Sequence, residues 1–152
     1  MAMTDYRTQR EQGLPTHVEE PSFPPLTVVN LKREADAVEQ VYKNFVVMNV
    51  NNHAVRMAVM EGEFRWHKHP RSDECFLVVE GELEIDIAGS KTFHLKAGDA
   101  FTIPAGVVHR TRSHSRAVNL CFEDRNAYTD VVFEDAPKWE TDENASQCSG
   151  KN

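Results

Sequence analysis

A chain of 152 residues is long enough to bury a sizeable core and too short to suggest a second domain. Its 24 acidic against 17 basic residues give a net charge of −7, and the basic ones are scattered, which excludes the electrostatic footprint of a nucleic-acid binder and disfavours acidic partners. No apolar run approaches membrane-spanning length, the first residues lack the apolar core of a secretory signal, and Cys75, Cys121 and Cys148 show no paired spacing. No membrane partner is therefore expected, and the cytoplasm is the expected compartment.

In chain order, residues 1–25 pair a polar lead with Pro15, Pro21, Pro24 and Pro25, a composition that predicts an extended arm lying on the domain or on a partner subunit. Residues 26–140 form the expected domain. Leu31, Ala35, Val38 and Tyr42 stand at helical spacing and predict a short helical turn over 31–42. Strand-like runs follow at 45–50, 55–60, 64–69, 75–80, 82–88, 92–95, 100–103, 107–112 and 117–123, with Gly62, Gly81, Gly89, Gly98 and Gly106 at the breaks. The clearest is 82–88, where Leu83, Ile85 and Ile87 alternate with Glu82, Glu84 and Asp86, the pattern of a half-buried antiparallel strand. Many short strands at this spacing predict an all-β sandwich or barrel. Tyr128, Phe133 and Trp139 are expected to anchor a C-terminal segment on the barrel, and 141–152 is expected to be a disordered tail.

Within this frame His67, His69, Glu74 and His109 form a candidate four-ligand metal set. Side chains at i and i+2 of a strand share a face, so His67 and His69 put two imidazoles on one wall. Glu74 has the opposite parity and reaches that wall only after a break, which Pro70, Arg71, Ser72 and Asp73 supply. Glu74, Phe76 and Val78 are then expected to face inward, and His109, Thr111 and Ser113 to share a face, the two hydroxyls as barrel lining. Parity also predicts Arg65 inward with the ligands and Trp66 outside. His17, His53, His94 and His114 are expected to face solvent. Cys75 and Cys121 are expected to be small apolar fillers, with no cysteine placed to join the metal set.

The stretch from Gly62 to Gly81 resembles the first motif of the cupin superfamily, G-x5-H-x-H-x4-E-x6-G, and Gly98, Pro104, Gly106 and His109 resemble the second, G-x5-P-x-G-x2-H-x3-N. Gly62 sits one residue nearer the histidine pair than the pattern asks, and Ser113 stands where the pattern closes on Asn. The chain looks like the small single-domain, mannose-6-phosphate-isomerase-like cupins. That resemblance implies a double-stranded β-helix (jelly-roll barrel), a homodimer, and one divalent ion (Fe, Mn, Ni or Zn). The activities it implies are dioxygenase-type oxidation of a small organic substrate at a three-His, one-Glu centre, metal-assisted sugar or keto isomerisation, decarboxylation, and a zinc cupin's role in nitrogen–nitrogen bond formation. A non-catalytic protein that binds a metal and a small ligand is the competing class. Four protein ligands close a tetrahedral zinc shell but leave two positions on an octahedral ion. An acid/base or orienting group beside the ligands would mark the enzyme.

Overall fold

The protein is described by a computed structural model covering residues 18–138. Trp139, His17, Cys148 and the segments 1–17 and 139–152 lie outside the described residues, and with them most of the expected arm and the whole of the expected tail. The described chain runs α1 (Leu31–Asp36), β1 (Tyr42–Val50), β2 (His53–Glu63), β3 (His67–Lys68), β4 (Glu74–Glu80), β5 (Glu82–Ile87), β6 (Thr92–Lys96), β7 (Ala100–Ile103), β8 (His109–Asp124) and β9 (Val132–Phe133). The expected all-β class is the observed one.

The organising element is β8, a strand of 16 residues. The sequence reading divides it into 107–112 and 117–123. The chain instead continues through Ser113–Arg116, because that stretch holds neither glycine nor proline and the Ser113 hydroxyl is tied to the carbonyls of Met60 (3.1 Å) and Ser115 (2.8 Å). The first half of β8 pairs with β5 and with His67 of β3. The second half lies between β2 and β4. One strand thus belongs to both halves of the sheet, which curls into a barrel with all pairings antiparallel.

Parity along β2 and β8 separates two apolar clusters. Met60 of β2 and Cys121 of β8 point inward with Phe76, Val78, Leu83, Ile85, Leu95 and Ile103. Val55, Met57, Val59, Val118 and Leu120 point the other way and are covered by Val47, by Ala35 and Val38, and by Phe23, Val29 and Leu31. This outer cover explains why β2 is buried on both faces and does not alternate like β5.

The expected helical turn over 31–42 shortens to Leu31–Asp36. Asn30 caps its start, accepting the Arg33 N–H at 2.9 Å. At its other end the Arg116 guanidinium donates to the carbonyls of Ala35 (2.6 Å) and Val38 (3.2 Å), ending the helix, and Tyr42 opens β1. Residues 18–23 lie on the barrel of their own chain. The N–H groups of Ser22 and Phe23 donate to Val46 and Val47, and Glu19 accepts the Val46 N–H.

Candidate metal centre

Two breaks in regular structure build the site. The expected strand 64–69 contracts to His67–Lys68, and residues 64–66 form no strand, so parity counted through them fails. The Arg65 guanidinium, expected to point inward with the ligands, lies over the Phe133 ring at 4.5 Å. Phe64 instead meets His67 edge-on, with ring centroids 5.0 Å apart. Trp66 is buried, its ring facing the Arg110 guanidinium at 5.0 Å.

After His69 the chain turns at Pro70 and Arg71, as the parity mismatch requires. Ser72 accepts the Asp124 N–H at 2.9 Å, and Asp73 accepts the Ala105 N–H at 2.9 Å. The Gly106 N–H donates to the His69 carbonyl at 2.8 Å. The loop before β4 is therefore pinned to the loop before β8, and the two motifs meet in space. Glu74, the first residue of β4, then faces inward, and Phe76 and Val78 are buried behind it.

The three histidines share one device. His67 Nδ1 lies 2.7 Å from the Arg65 carbonyl, His69 Nδ1 2.9 Å from that of Ala127, and His109 Nδ1 2.9 Å from that of Val107. A carbonyl only accepts, so each Nδ1 carries its proton and each Nε2 is left as the inward-facing atom. His67 and His109 are register partners, with ring centroids 4.3 Å apart. His109 Nε2 lies 2.9 Å and His69 Nε2 3.4 Å from the same Glu74 oxygen, Oε2. The donor atoms of His67, His69 and Glu74 all fall within 4.8 Å of one another. In neutral imidazoles those Nε2 lone pairs would face a carboxylate oxygen, so a cation, either a proton or a metal ion, must sit between them. The four side chains are buried, between 1% and 7% exposed.

Electrostatics agree with that reading. Burial, and then the neighbouring His109, push the His67 imidazole down to about 3. His69 is raised to about 9: burial opposes its charge, and the Glu74 carboxylate, as acceptor and as charge, overcomes burial. Glu74 is itself held well below the carboxylate range, since the hydrogen bonds from His109 and His69 outweigh its burial.

Three further residues belong to the site. Cys121, expected as an apolar filler unable to join the set, is buried and donates its thiol to Glu74 Oε1 at 3.1 Å; burial pushes that thiol well up, so it is a hydrogen-bond donor. Glu123, 2% exposed, is the register partner of Glu74 and brings Oε2 to 3.8 Å from His69 Nε2. Burial, and then the charge of Glu74, raise it to about 8. Arg56 lies behind Glu123, its Nε 3.8 Å from Oε1, and is held by Glu19 and Asn44, both at 2.7 Å, and by the Tyr128 ring at 4.4 Å. The alternation of Asn119, Cys121 and Glu123 on one face was the available signal. Thr111 and Ser113 are buried as barrel lining, and Cys75 packs away from the site with a half-buried side chain. His53, His94 and His114 are exposed, the last two beside Glu84.

An antiparallel barrel built around one shared strand, with imidazoles and carboxylates on its inner wall, is a double-stranded β-helix with a candidate metal centre. A cupin domain model matches residues 54–122. The protein YdbB of Bacillus subtilis (strain 168) is 51% identical over 108 residues, which cover 71% of this chain and 95% of that one. The crystal structure of a cupin-2 domain containing protein from Shewanella frigidimarina NCIMB 400 superposes with a TM-score of 0.61 at 30% identity, over 64% of this chain and 94% of its own. Recombinant oxalate oxidase in complex with glycolate superposes with a TM-score of 0.51 at 22% identity, over 64% of this chain and 57% of its own, and speaks to the fold alone. The chain belongs to the cupin superfamily.

Proposed function

We propose that His67, His69, Glu74 and His109 hold one divalent ion and that the protein is a metal-dependent enzyme acting on a small organic molecule by dioxygenase-type oxidation. The observation that carries this reading is the set of three Nδ1-tethered imidazoles around Glu74, two of them, His69 and His109, directed at one carboxylate oxygen, and the third, His67, with its donor atom within 4.8 Å of those of His69 and Glu74. Fixing each ring through Nδ1 orients Nε2 and raises its basicity, which is what a metal ligand needs. An ion held there would supply Lewis acidity toward a carbonyl, enol or carboxylate oxygen and, if iron or manganese, a redox centre through which electrons pass from the substrate to dioxygen. The chain's own contribution is to fix the donors and keep their surroundings apolar: Phe64 and Phe76 flank the His67 and His109 rings, at 5.0 and 6.5 Å between centroids.

Metal-bearing ligand binding without turnover is the second reading, and the near-complete burial of all four donors favours it. Among the described residues no helix is long and apolar enough to cross a membrane, and free Cys75 and Cys121 support the proposed cytoplasmic location.

Metal analysis of protein purified without an affinity tag is expected to give one ion per chain, and His69→Ala to fall far below that. Full occupancy in a His69→Ala, His109→Ala double variant would sink the ligand assignment. Oxygen consumption with a panel of keto, enol and carboxylate compounds tests the oxidation. Turnover of a sugar or keto compound without oxygen uptake, or zinc-dependent joining of two nitrogens, replaces it with isomerisation or nitrogen–nitrogen bond formation, and binding without turnover leaves the second reading.

A further inference from the structure

Glu74 and Glu123 occupy directly paired positions on β4 and β8. Both side chains face the barrel interior and both are buried, at 7% and 2% exposure. Like charges directly opposite in a ladder destabilise it, and away from water the repulsion is stronger. Two inward carboxylates at one rung therefore call for a cation between them, a proton or a metal ion. Glu74 has its partners in His109, His69 and Cys121. Glu123 does not: its Oε2 is buried with no hydrogen-bond partner among the described residues.

An ordinary buried ion pair with Arg56 does not account for this. Arg56 Nε is 3.8 Å from Glu123 Oε1, beyond hydrogen-bond reach, while Nε and Nη2 already donate to Asn44 and Glu19 at 2.7 Å. The guanidinium lies behind Oε1, and the oxygen left over is the one turned toward His69. Donor atoms bonded at about 2.1 Å to one ion stand about 3 Å apart at right angles and about 4.2 Å apart when opposite. His109 Nε2 to Glu74 Oε2 is 2.9 Å, His69 Nε2 to Glu74 Oε2 is 3.4 Å, and His69 Nε2 to Glu123 Oε2 is 3.8 Å. All three separations lie in the range that one shared ion imposes. Glu74, Cys121 and Glu123 form a second group with donor atoms within 4.8 Å of one another, joined to the group of His67, His69 and Glu74 through Glu74.

We infer that Glu123 is a fifth protein donor to the metal centre, through Oε2. This rests on the proposed metal site and extends it. A set of three imidazole nitrogens and two carboxylate oxygens suits a six-coordinate ion such as Mn²⁺ or Fe²⁺ better than a four-coordinate zinc. It leaves one exchangeable position on such an ion, so substrate or oxidant, but not both, would bind there.

The test uses the full chain and Mn²⁺ as probe. Glu123→Gln keeps the size of the side chain and removes its charge, so Mn²⁺ affinity measured by chelator competition is expected to fall by about tenfold or more. Glu123→Ala should fall at least as far. A crystal structure of the Mn²⁺-loaded native chain is expected to show Oε2 bonded to the ion, and this readout does not depend on either variant folding. Unchanged affinity in Glu123→Gln, or Oε2 separated from the ion by a water, overturns the fifth donor and leaves the four-ligand site standing. A native chain that binds no Mn²⁺, Fe²⁺ or Zn²⁺ overturns both.

Discussion

Gly81 shows how much a single backbone position can demand. Its φ of +76° lies where side-chain-bearing residues are strained, and a Cβ there would stand 2.6 Å from the Arg116 carbonyl oxygen and 3.1 Å from Ala117 Cα. Both neighbours are backbone of β8, the strand that carries His109 and Glu123, so relief would have to move the sheet. Gly106 has a similar φ of +80° but nothing within 4 Å of the added atom. Gly81→Ala should therefore cost more than the roughly 1–3 kcal/mol of backbone strain expected for Gly106→Ala, as the difference in urea midpoints between the two variants. Equal losses would mean the contact with Arg116 is unimportant. The sequence marks Gly81 as a turn, because it separates two apolar runs, but the approach of Arg116 depends on a partner far along the chain. The site divides in the same way. His67, His69, Glu74 and His109 stand out by residue type, spacing and one parity break, whereas Glu123 acquires its meaning only from a register between β4 and β8 that no local pattern encodes.

The alternation of β5 put Leu83 and Ile85 in the core and Glu84 and Asp86 on the outer face, where the pairing with β8 places them. Less visible was that Asp86 would be 3% exposed on that face. Its carboxylate accepts from Arg110 Nε and Arg112 Nε, both at 2.8 Å, from Arg112 Nη2 at 3.2 Å and from Thr92 at 2.5 Å. Arg110 and Arg112 follow His109 at the start of β8, so this cluster fixes the strand segment that presents a candidate ligand. Burial would raise the Asp86 carboxyl, but the donors led by Arg112 win and hold it at about 2, against an ordinary 3.8. A lowered carboxyl contributes stability that is complete above its unfolded value and lost as pH falls through its folded one. Asp86→Asn should therefore destabilise the protein by roughly 1–3 kcal/mol at neutral pH, and the gap from the native chain should close as pH drops from about 4 toward 2. Urea unfolding across that range checks it; a gap constant down to pH 2 would show that the carboxylate's charge is not the source. The continuity of β8 escaped the sequence reading because Ser113, His114 and Ser115 look like a loop; Ser113 pairs with Gly62, and across a register shift between Met60 and Gly62 the pairing resumes at Ala117.

The described end of the N-terminal segment is tied to the interior through one residue. Glu19 binds Arg56, and Arg56 lies between the Tyr128 ring of the C-terminal loop and Glu123 of the site, so both ends of the described chain pack around the inner wall. Between Glu19 and α1, however, the chain leaves the surface uncovered. Leu26 is fully exposed with a φ of +62°, and Val28 is 95% exposed, although Phe23 and Val29 on either side are packed against the outer cluster. Two apolar side chains held out from an ordered segment gain nothing in a monomer, and burying each in a partner would return about 1.5–3 kcal/mol. They follow residues 19–23, which meet β1 at Val46 and Val47 on the side away from β2, and the remainder of that edge invites cover. We propose a homodimer in which this segment packs against the second copy. Such an interface needs on the order of 1,200–2,000 Å² in total, more than two side chains provide, so the rest of the segment has to take part. Light scattering at tens of micromolar should give twice the chain mass, and a Leu26→Asp, Val28→Asp variant should give the chain mass with its far-ultraviolet circular dichroism unchanged. A native monomer at that concentration removes the dimer, and a variant that remains dimeric places the interface elsewhere on the barrel. Deleting residues 1–17 then separates crossing from packing: loss of the dimer assigns the crossing arm a role, and its retention assigns the interface to the exposed residues after Glu19.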